Sequence, residues 1–293
     1  MAVTINGTTG IAGASWTTGG RPASPVSGQQ GYNTTLKALE VYINASWRIM
    51  AEGFTATGGT ITTDGAYTVH SFTSSGTFTP SSAGTVEYLV VAGGGGRGKE
   101  AYYGGGGGAG GFLTATDFAV AATGLTVTIG AGGAESLNGT GADGSDSVFS
   151  SITADGGGGG AFPDQVGNNG GSGGGGGGND SARAGGSATA GQGNDGGASQ
   201  TSGASAAGGG GGAGGVGGTS TGASLGTGGV GGAGLQSSIN GTATYYSAGG
   251  GGVNGYTSPA DGANGTGWAD AANRGHGGGA VTEGDGSSGI VII

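Results

Sequence analysis

Short runs of alternating apolar and polar residues mark the first half of the chain, and each predicts a β-strand. The runs at 67–72, 76–79 and 125–129 alternate as half-buried strands do, whereas 86–92 is apolar enough for a central strand. The chain ends in a further apolar run at 289–293. Because this run is too apolar to lie in water, we predict that it pairs within the same sheet as the 86–92 strand.

Residues 31–50 contain two β-rich runs on either side of Asn44 and Ala45. An Asn-containing turn between two such runs favours a β-hairpin. A helix over 35–43 is the competing interpretation, since Leu36, Leu39 and Ile43 would share one helical face. The preceding segment 21–25 holds two prolines and is expected to be extended, because proline disfavours the helical conformation in the residue before it.

Beyond residue 92 glycine replaces much of this pattern. The chain has 85 Gly in 293 residues, and 72 of them lie after residue 92. An ordinary domain has about 7% Gly. Collagen is excluded, because it needs Gly at every third position together with abundant proline. The glycines are grouped in tracts separated by polar stretches of variable length: 93–96, 104–111, 156–160, 170–178, 208–218, 226–234, 249–252 and 275–279.

Where side chains occur inside these tracts, they recur at intervals of three, as in Ala213, Val216 and Thr219 and again in Thr227, Val230 and Ala233. This period matches the polyproline II helix, which has 3 residues per turn and a rise of about 3.1 Å. Helices without Cβ atoms can approach closely enough for backbone hydrogen bonds between them. The competing interpretation is a flexible linker or low-complexity disorder. The triplets, the intervening aromatic residues and the apolar end of the chain favour an ordered array.

The net charge of the chain disfavours some classes of binding partner. The chain carries a formal net charge of −10, most of it scattered through the glycine-rich part, which argues against nucleic acid or an anionic membrane as the main partner. The absence of Cys excludes disulfide frameworks and zinc ribbons. Neither a signal peptide nor a transmembrane segment is expected, because residues 1–10 lack a basic start and no apolar run reaches 18 residues.

Together these patterns predict a mostly irregular and β fold with almost no α-helix. A small N-terminal β module over residues 1–60 is expected to serve as an attachment or connector module. Residues 61–293 are expected to form a packed array of polyproline II helices seated on a short β-sheet, with strands at its start and at its C-terminal end; the resemblance described below implies that this array is a polyglycine II helix sandwich.

Two motifs resemble catalytic sites but lack what the chemistry needs. Residues 93–99 fit the phosphate-binding pattern G-x-x-x-x-G-K, yet Glu100 stands where a Ser or Thr should bind Mg²⁺. Residues 222–226 fit the nucleophile-elbow pattern G-x-S-x-G, which requires a strand before Ser224 and a helix after it. Glycine tracts flank this motif instead, so neither nucleotide binding nor hydrolysis is favoured.

The remaining polar candidates are more simply explained by structure. His70 lies in a predicted strand and His276 interrupts a glycine tract, so packing is the simpler role for each. The residues 143–146, with Asp at both ends, could hold Ca²⁺ through carboxylates and carbonyls. No further ligands support that site, and a turn is the favoured interpretation. We therefore expect no metal and no cofactor.

Residues 67–293 resemble the glycine-rich domain of bacteriophage tail-fibre and tip-adhesin proteins. The resemblance lies in Tyr-Leu-Val-Val-Ala-Gly-Gly-Gly-Gly at 88–96, the tract and Phe at 104–112, Leu-Thr-Val-Thr-Ile-Gly-Ala-Gly-Gly at 125–133, and the closing Gly-Ile-Val-Ile-Ile. Residues 21–47 are similar to short β-modules of phage tail fibres, and 3–11 to the start of such proteins. The resemblance implies a sandwich of polyglycine II helices whose loops reach the bacterial surface and set host range. Related tip adhesins often sit on a separate fibre protein, whereas here an N-terminal module is fused.

If the tracts form a scaffold, recognition falls to the residues that interrupt them. Tyr, Trp and Arg dominate binding hot spots, and Tyr and Trp give large contact area at little entropic cost. The alternative role for these aromatic residues is to cap the ends of the array and keep its edges dry. The receptor-binding candidates are Arg97, Tyr102, Tyr103, Phe162, Arg183, Tyr245, Tyr246, Tyr256, Trp268 and Arg274.

The predicted function is that of a non-enzymatic phage tail-fibre or tail-tip adhesin, a receptor-binding protein of the virion for viral attachment to the host cell. Its expected partners are a host surface glycan or outer-membrane protein, other phage tail proteins through the N-terminal module, and other copies of the chain in a homotrimer. A structural glycine-rich protein and an ice-binding polyglycine II protein are the alternatives. A depolymerase is the least supported class, since no carboxylate pair for glycoside hydrolysis is recognisable.

Overall fold

The computed structural model divides the chain into two compact units, Met1–Thr55 and Ala56–Ile293. Residues 56–60, which the sequence grouped with the N-terminal module, belong to the second unit. No α-helix occurs in the part of the chain that the structure describes, which confirms the predicted fold class. The described residues are 5–6, 10–11, 14–36, 38–51, 54–98, 103–200, 206–221, 226–253, 273–279 and 284–293.

The first unit is built on a four-stranded sheet in the order β3-β4-β5-β6, beside a two-stranded pair β1-β2. The predicted hairpin is confirmed: β5 and β6 are antiparallel, and the turn residues Asn44 and Ala45 have φ of 50° and 59°, the left-handed pair of a two-residue hairpin loop. The helical interpretation of 35–43 is wrong. The strands are β1 Ile5–Asn6, β2 Gly10–Ile11, β3 Ala14–Trp16, β4 Gln30–Asn33, β5 Ala38–Ile43 and β6 Ser46–Ala51, with a 3₁₀ turn at Thr18–Gly20.

A buried carboxylate organises one face of this sheet. Glu40 is 1% exposed, and its Oε2 accepts hydrogen bonds from Trp16 Nε1 at 3.1 Å, Arg21 Nε at 3.0 Å and Asn33 Nδ2 at 3.0 Å. An ion pair between the Arg21 guanidinium and Oε1 completes the cluster. These partners, led by the hydrogen bond from Arg21, lower the pKa of Glu40 to about 2. The cluster fixes the start of the 21–25 segment against the sheet.

The second unit contains two five-stranded sheets, ordered β15-β14-β13-β10-β7 and β12-β11-β18-β9-β8, and a hairpin of β16 and β17. The C-terminal strand β18 pairs antiparallel with β11 through Leu89–Ile292, Val90–Val291 and Val91–Ile290, as predicted. The strands are β7 Ala56–Thr57, β8 Thr60–Asp64, β9 Tyr67–Phe72, β10 Gly76–Pro80, β11 Gly84–Val91, β12 Phe112–Val120, β13 Leu125–Thr128, β14 Ser147–Phe149, β15 Ile152–Ala154, β16 Leu235–Ser237, β17 Thr244–Tyr246 and β18 Ile290–Ile292.

The two sheets enclose an aromatic core. Phe149 is fully buried, and its ring centroid lies 5.9 Å from that of Phe78, 6.1 Å from Tyr88 and 5.6 Å from Phe118. Such spacings are typical of favourable aromatic pairs. The central strands β11 and β18 are buried on both faces, because Leu89, Val91 and Ile292 pack in a second cluster on the opposite side. This sandwich anchors the glycine tracts.

The glycine tracts form polyglycine II helices joined by backbone hydrogen bonds. The segment 93–98 shows the period of three directly, since every third N–H donates to the same neighbouring segment at 2.7–3.2 Å. Residues 93 and 96 donate to carbonyls of 142–145, residues 94 and 97 to 284–287, and residues 95 and 98 to 105–108. The tract therefore rotates by one third of a turn per residue, which is the polyglycine II geometry.

The segment 104–111, here called the central helix, lies inside a hexagon of six neighbouring segments. Its N–H groups donate to 155–161, 208–211 and 275–278, and its carbonyls accept from 92–98, 172–175 and 250–253. Position 109 accommodates the buried methyl group of Ala109, whereas at Gly105, Gly106, Gly107, Gly108 and Gly110 a Cβ would overlap a carbonyl oxygen of an adjacent helix, as at Gly107 with Gly95. Glycine is therefore required here for close approach, and backbone replaces side chains as the packing material.

A few side chains lie inside the array, such as Ala109 and Ser172, which are 0% exposed, whereas others lie on its outer faces and edges. Val216 and Val230 are 66% and 52% exposed, and Thr219 and Thr227 are also exposed, which confirms that the triplet residues project outward. At one edge, side chains take the place of a missing neighbour: Asp146 Oδ1 accepts from the Gly156 N–H at 2.8 Å and Asp143 Oδ1 from the Gly159 N–H at 2.7 Å. The three-residue spacing of these carboxylates matches that of their donors.

Candidate functional site

The array has two ends, which the hydrogen bonds of the central helix identify. Residues 98, 161, 178 and 253 pair with its beginning, and residues 92, 155 and 172 pair near its end, where the β-sheets lie. At about 3.1 Å per residue these two levels are roughly 20 Å apart. We call the level of residues 98, 161, 178 and 253 the loop end, because the described loops 135–140, 161–166 and 179–183 lie there.

Two loops at the loop end are tied together by Thr140. Its Oγ1 accepts from the Phe162 N–H at 3.2 Å and donates to Gln165 Oε1 at 3.0 Å. Leu137 and Val166, which these loops carry, are 63% and 53% exposed. Sequence reasoning did not single out Leu137 or Val166, and the available signal was an isolated large apolar residue in a polar loop. Phe162, which it did select, is half-buried at this end.

A second connection joins the Phe162 loop to the segment 179–183. Asp164 Oδ2 accepts from Asn179 Nδ2 at 2.9 Å, and Oδ1 accepts from the backbone N–H groups of Asp180 at 3.1 Å and Ser181 at 3.2 Å. These bonds, with the Asn179 amide the largest contributor, lower the pKa of Asp164. Asp164 and Asn179 have φ of 58° and 147°, values that non-glycine residues rarely adopt. Asp164 thus holds two strained loops in one arrangement.

The two arginines predicted at the loop end have different surroundings. Arg97 is 11% exposed and forms an ion pair with Glu135, whose backbone N–H in turn donates to Asp285 Oδ1 at 2.6 Å. Arg183 is anchored by its backbone, with Ser199 Oγ accepting from its N–H at 2.9 Å and the Ser199 N–H donating to its carbonyl at 2.8 Å. Its Nε is buried and has no hydrogen-bond partner. Arg97 is paired with Glu135, whereas the Arg183 side chain makes no hydrogen bond to any residue that the structure describes.

Tyr103 immediately precedes the central helix and is half-buried at the same end. Its carbonyl accepts from the Gly178 N–H at 3.0 Å. The structure therefore brings four of the ten predicted residues to one end of the array: Arg97, Tyr103, Phe162 and Arg183.

Three other candidates lie at the sheet end, roughly 20 Å away at the rise of this helix. Tyr246 is 2% exposed and packs with Val69, Leu89 and Phe112, so its ring belongs to the core, and burial raises the pKa of its hydroxyl. Tyr245 neighbours it in β17 and is half-buried. The Arg274 carbonyl accepts from the Ser247 N–H at 2.9 Å. These residues form no common surface with the loop end.

Tyr102, Tyr256 and Trp268 lie outside the described residues, as does Ser224 of the nucleophile-elbow motif. The residues 93–98 of the phosphate-binding pattern form part of the helix lattice. Their N–H groups, which would have to bind phosphate, donate instead to carbonyls of neighbouring helices.

The two histidines are both structural. His70 is 3% exposed, with Nδ1 2.8 Å from the Gly58 carbonyl oxygen and its ring against Phe78. His276 is 1% exposed, and its Nδ1 accepts from the Ala248 N–H at 3.0 Å, which requires the neutral ring. Burial lowers the pKa of His276 to about 3. Within the described part of the chain, no three His, Asp or Glu side chains are grouped to hold a metal ion.

The fold and the loop end define a polyglycine II protein, in which a lattice of backbone carries loops at one end. The chain belongs to the family described as Glycine-rich domain, whose model matches residues 73–293. A comparison with curated proteins finds no match. Among the described residues, no helix has the length and apolar character needed to cross a bilayer.

Proposed function

We propose that this protein is a bacteriophage tail-fibre or tail-tip adhesin that recognises a receptor on the host cell surface through its loop end. One observation carries the proposal: the lattice brings three loops of different composition, 135–140, 161–166 and 179–183, together at one of its ends. The resemblance of residues 67–293 to tail-tip adhesins agrees with this use of the loops. The activity is binding alone, and the protein acts as a component of the virion.

The lattice supplies what a recognition surface needs. Each helix is held by several neighbours, so the loop ends are fixed before a receptor arrives and little ordering entropy is lost on binding. The cross-links through Thr140 and Asp164 extend this rigidity into the loops themselves. Leu137 and Val166 add exposed apolar area beside polar groups, a composition that suits receptor contacts.

The N-terminal unit offers a surface for attachment. Tyr32 and Leu39 are paired across β4 and β5, and Ile43 lies four residues further along the same face. These side chains are 44%, 39% and 36% exposed, on the face opposite the buried Glu40. An open apolar sheet face on so small a unit favours contact with another protein. We assign this face to other tail proteins or to further copies of the chain in a homotrimer.

Replacing the two exposed apolar side chains of the loop end tests the proposed function. We expect Leu137→Ser combined with Val166→Ser to weaken binding to a susceptible bacterium at least about tenfold, equivalent to about 1.4 kcal/mol. Binding of labelled, purified protein to a panel of bacteria measures the effect. The matched control is Val216→Ser with Val230→Ser, which removes similarly exposed side chains from the side of the array. Equal loss in both variants, or unchanged binding in the first, would contradict the assignment of the loop end.

Ice binding is the second candidate function. The triplet residues that include Val216 and Val230 form exposed rows, and ice-binding polyglycine II proteins present flat faces of small residues. Each row here spans only three triplet positions. We expect the purified protein to show no thermal hysteresis beyond that of its buffer in a nanolitre osmometer. A hysteresis that Val216→Ser with Val230→Ser removes would favour the ice-binding function over the adhesin.

A further inference from the structure

The loop end contains a guanidinium without a hydrogen-bond acceptor. Arg183 Nε is enclosed by protein, and the side chain makes no hydrogen bond to any described residue. An enclosed donor without a partner costs free energy, so native proteins seldom retain one without a reason. The contrast with Arg97 is direct, since that arginine at the same end is paired with Glu135.

The surroundings of Arg183 hold its backbone in place, and the charge of its side chain interacts with Asp164 without a hydrogen bond between them. Its backbone is fixed on both sides by Ser199. The nearby Asp164 carboxylate has both oxygens occupied by Asn179, Asp180 and Ser181. Asp164 therefore braces the loop beside Arg183 and is not its hydrogen-bond partner.

The Phe162 loop and Arg183 lie side by side. The Phe162 carbonyl is the group that a Cβ at Gly177 would meet, and the Arg183 carbonyl is the group that a Cβ at Gly176 would meet. The two loops thus flank consecutive residues of one helix, and Asp164 links them. The backbone segments that carry Phe162 and Arg183 are therefore neighbours at the loop end.

We propose, building on the adhesin function, that Arg183 recognises an acidic sugar of the host surface, through a carboxylate or phosphate group on that sugar. Because Nε is enclosed, the terminal nitrogens of the half-buried guanidinium are the donors that would form paired, charge-assisted hydrogen bonds with either group. The glycine-rich part carries most of the chain's net charge of −10, and Asp164 is close by, so long-range attraction for small anions is weak. Selection therefore falls on ligands that also contact Phe162 and the loop amides, which favours a sugar over a free ion.

Four probes test this inference by titration calorimetry on the full chain. We expect trigalacturonic acid or mannose 6-phosphate to bind at least tenfold more tightly than neutral galactotriose, and inorganic phosphate to bind no better than galactotriose. The first two probes distinguish a carboxylate from a phosphate source. Equal binding of acidic and neutral sugars, or binding by phosphate as tight as by the acidic sugars, would overturn the inference.

Variants assign the effect to Arg183. Arg183→Gln is expected to abolish the preference for the acidic probe, and Arg183→Lys to retain part of it. Arg48→Gln, the same change at an exposed arginine of the N-terminal unit, should leave the preference unchanged. An unaltered unfolding temperature shows that Arg183→Gln is folded, as its lack of side-chain hydrogen bonds predicts. A preference that survives Arg183→Gln, or that Arg48→Gln also removes, would refute the role of Arg183.

The bacterial panel separates this inference from the proposed function. Both the adhesin function and the acidic-sugar inference are supported if the wild-type protein binds a host, if acidic sugars compete with that binding, and if Arg183→Gln weakens it at least tenfold. Host binding that neither acidic sugars nor Arg183→Gln reduces would overturn the acidic-sugar inference and leave the adhesin function standing. Wild-type protein that binds none of the bacteria while still preferring the acidic probe would support the sugar site and count against the adhesin function.

Discussion

Replacing Gly107 with Ala is expected to unfold the glycine-rich unit. Gly107 lies in the central helix, and a Cβ there would overlap the Gly95 carbonyl oxygen. Relief would require moving backbone that is itself hydrogen-bonded to other helices, because the Gly107 N–H donates to Gly278 and its carbonyl accepts from Gly250. We expect a loss of stability of at least about 4 kcal/mol, a size reserved for severe core disruption. Chemical unfolding followed by circular dichroism and by tyrosine fluorescence measures it.

Gly215→Ala is the matched control within the same unit. The nearest atom to a Cβ at Gly215 is the Ala233 nitrogen at 3.5 Å, which is an ordinary contact. Since Ala restricts the unfolded chain more than Gly does, the change in stability should lie between zero and a gain of about 1 kcal/mol. Similar stability losses in the two variants would mean that lattice spacing is not what requires glycine at position 107.

The second large effect is expected at Glu40. Glu40→Gln removes the carboxylate from a site that is 1% exposed and leaves Trp16, Arg21 and Asn33 competing for one amide oxygen. We expect a loss of about 3 kcal/mol, the lower end for breaking a buried ion pair, because Arg21 is partly exposed. A unit of about 55 residues has little stability in reserve. Fluorescence of Trp16 and Trp47 reports its unfolding, and Glu87→Gln, at an exposed position of the second unit, should leave that transition unchanged.

Acid should reproduce this effect in the wild-type protein. The pKa of Glu40 is lowered from 4.5 to about 2, so its stabilisation is complete above pH 4.5 and declines as the pH falls from 4.5 towards 2. Unfolding of the N-terminal unit measured across this window should show the decline in the wild type, and the decline should be much smaller in Glu40→Gln. Parallel curves for the two proteins would contradict the role assigned to this carboxylate.

Local pattern was enough to predict the strands, the hairpin at Asn44 and the helical period of the glycine tracts. Each depends on neighbours within a few residues, such as the alternation at 67–72 or the spacing of Ala213 and Val216. The pairing of the C-terminal run with β11 was also predicted, because four consecutive apolar β-branched residues favour a buried strand. The order of the helices in the lattice was not, since glycine has no side chain with which to specify a neighbour.

Because the sequence does not show which segments are neighbours in the lattice, it could not separate candidate residues that are paired or buried from those that are available for binding. Arg97 and Arg183 look alike in sequence, and only the fold shows that Glu135, 38 residues away, pairs with one of them. Tyr245 and Tyr246 were both receptor-binding candidates, yet Tyr246 packs in the core with Val69, Leu89 and Phe112. The spacing of three between Asp143 and Asp146 equals the helical period and could have indicated that both carboxylates pair with one helix, but a turn explained the same residues. Contacts across the lattice therefore decide which interruptions are available for binding.

Each tract completes one helical turn every three residues, and this period limits which insertions and deletions the sequence can accept. An insertion of one or two residues inside the segment 93–98 would turn every following N–H towards the wrong neighbour, whereas three residues restore the alignment. Loops outside the lattice carry no such requirement. Insertions and deletions of any length can therefore accumulate at the loop end, while the tracts accept change only in whole turns, so the surface that meets the environment can diversify faster than the scaffold beneath it.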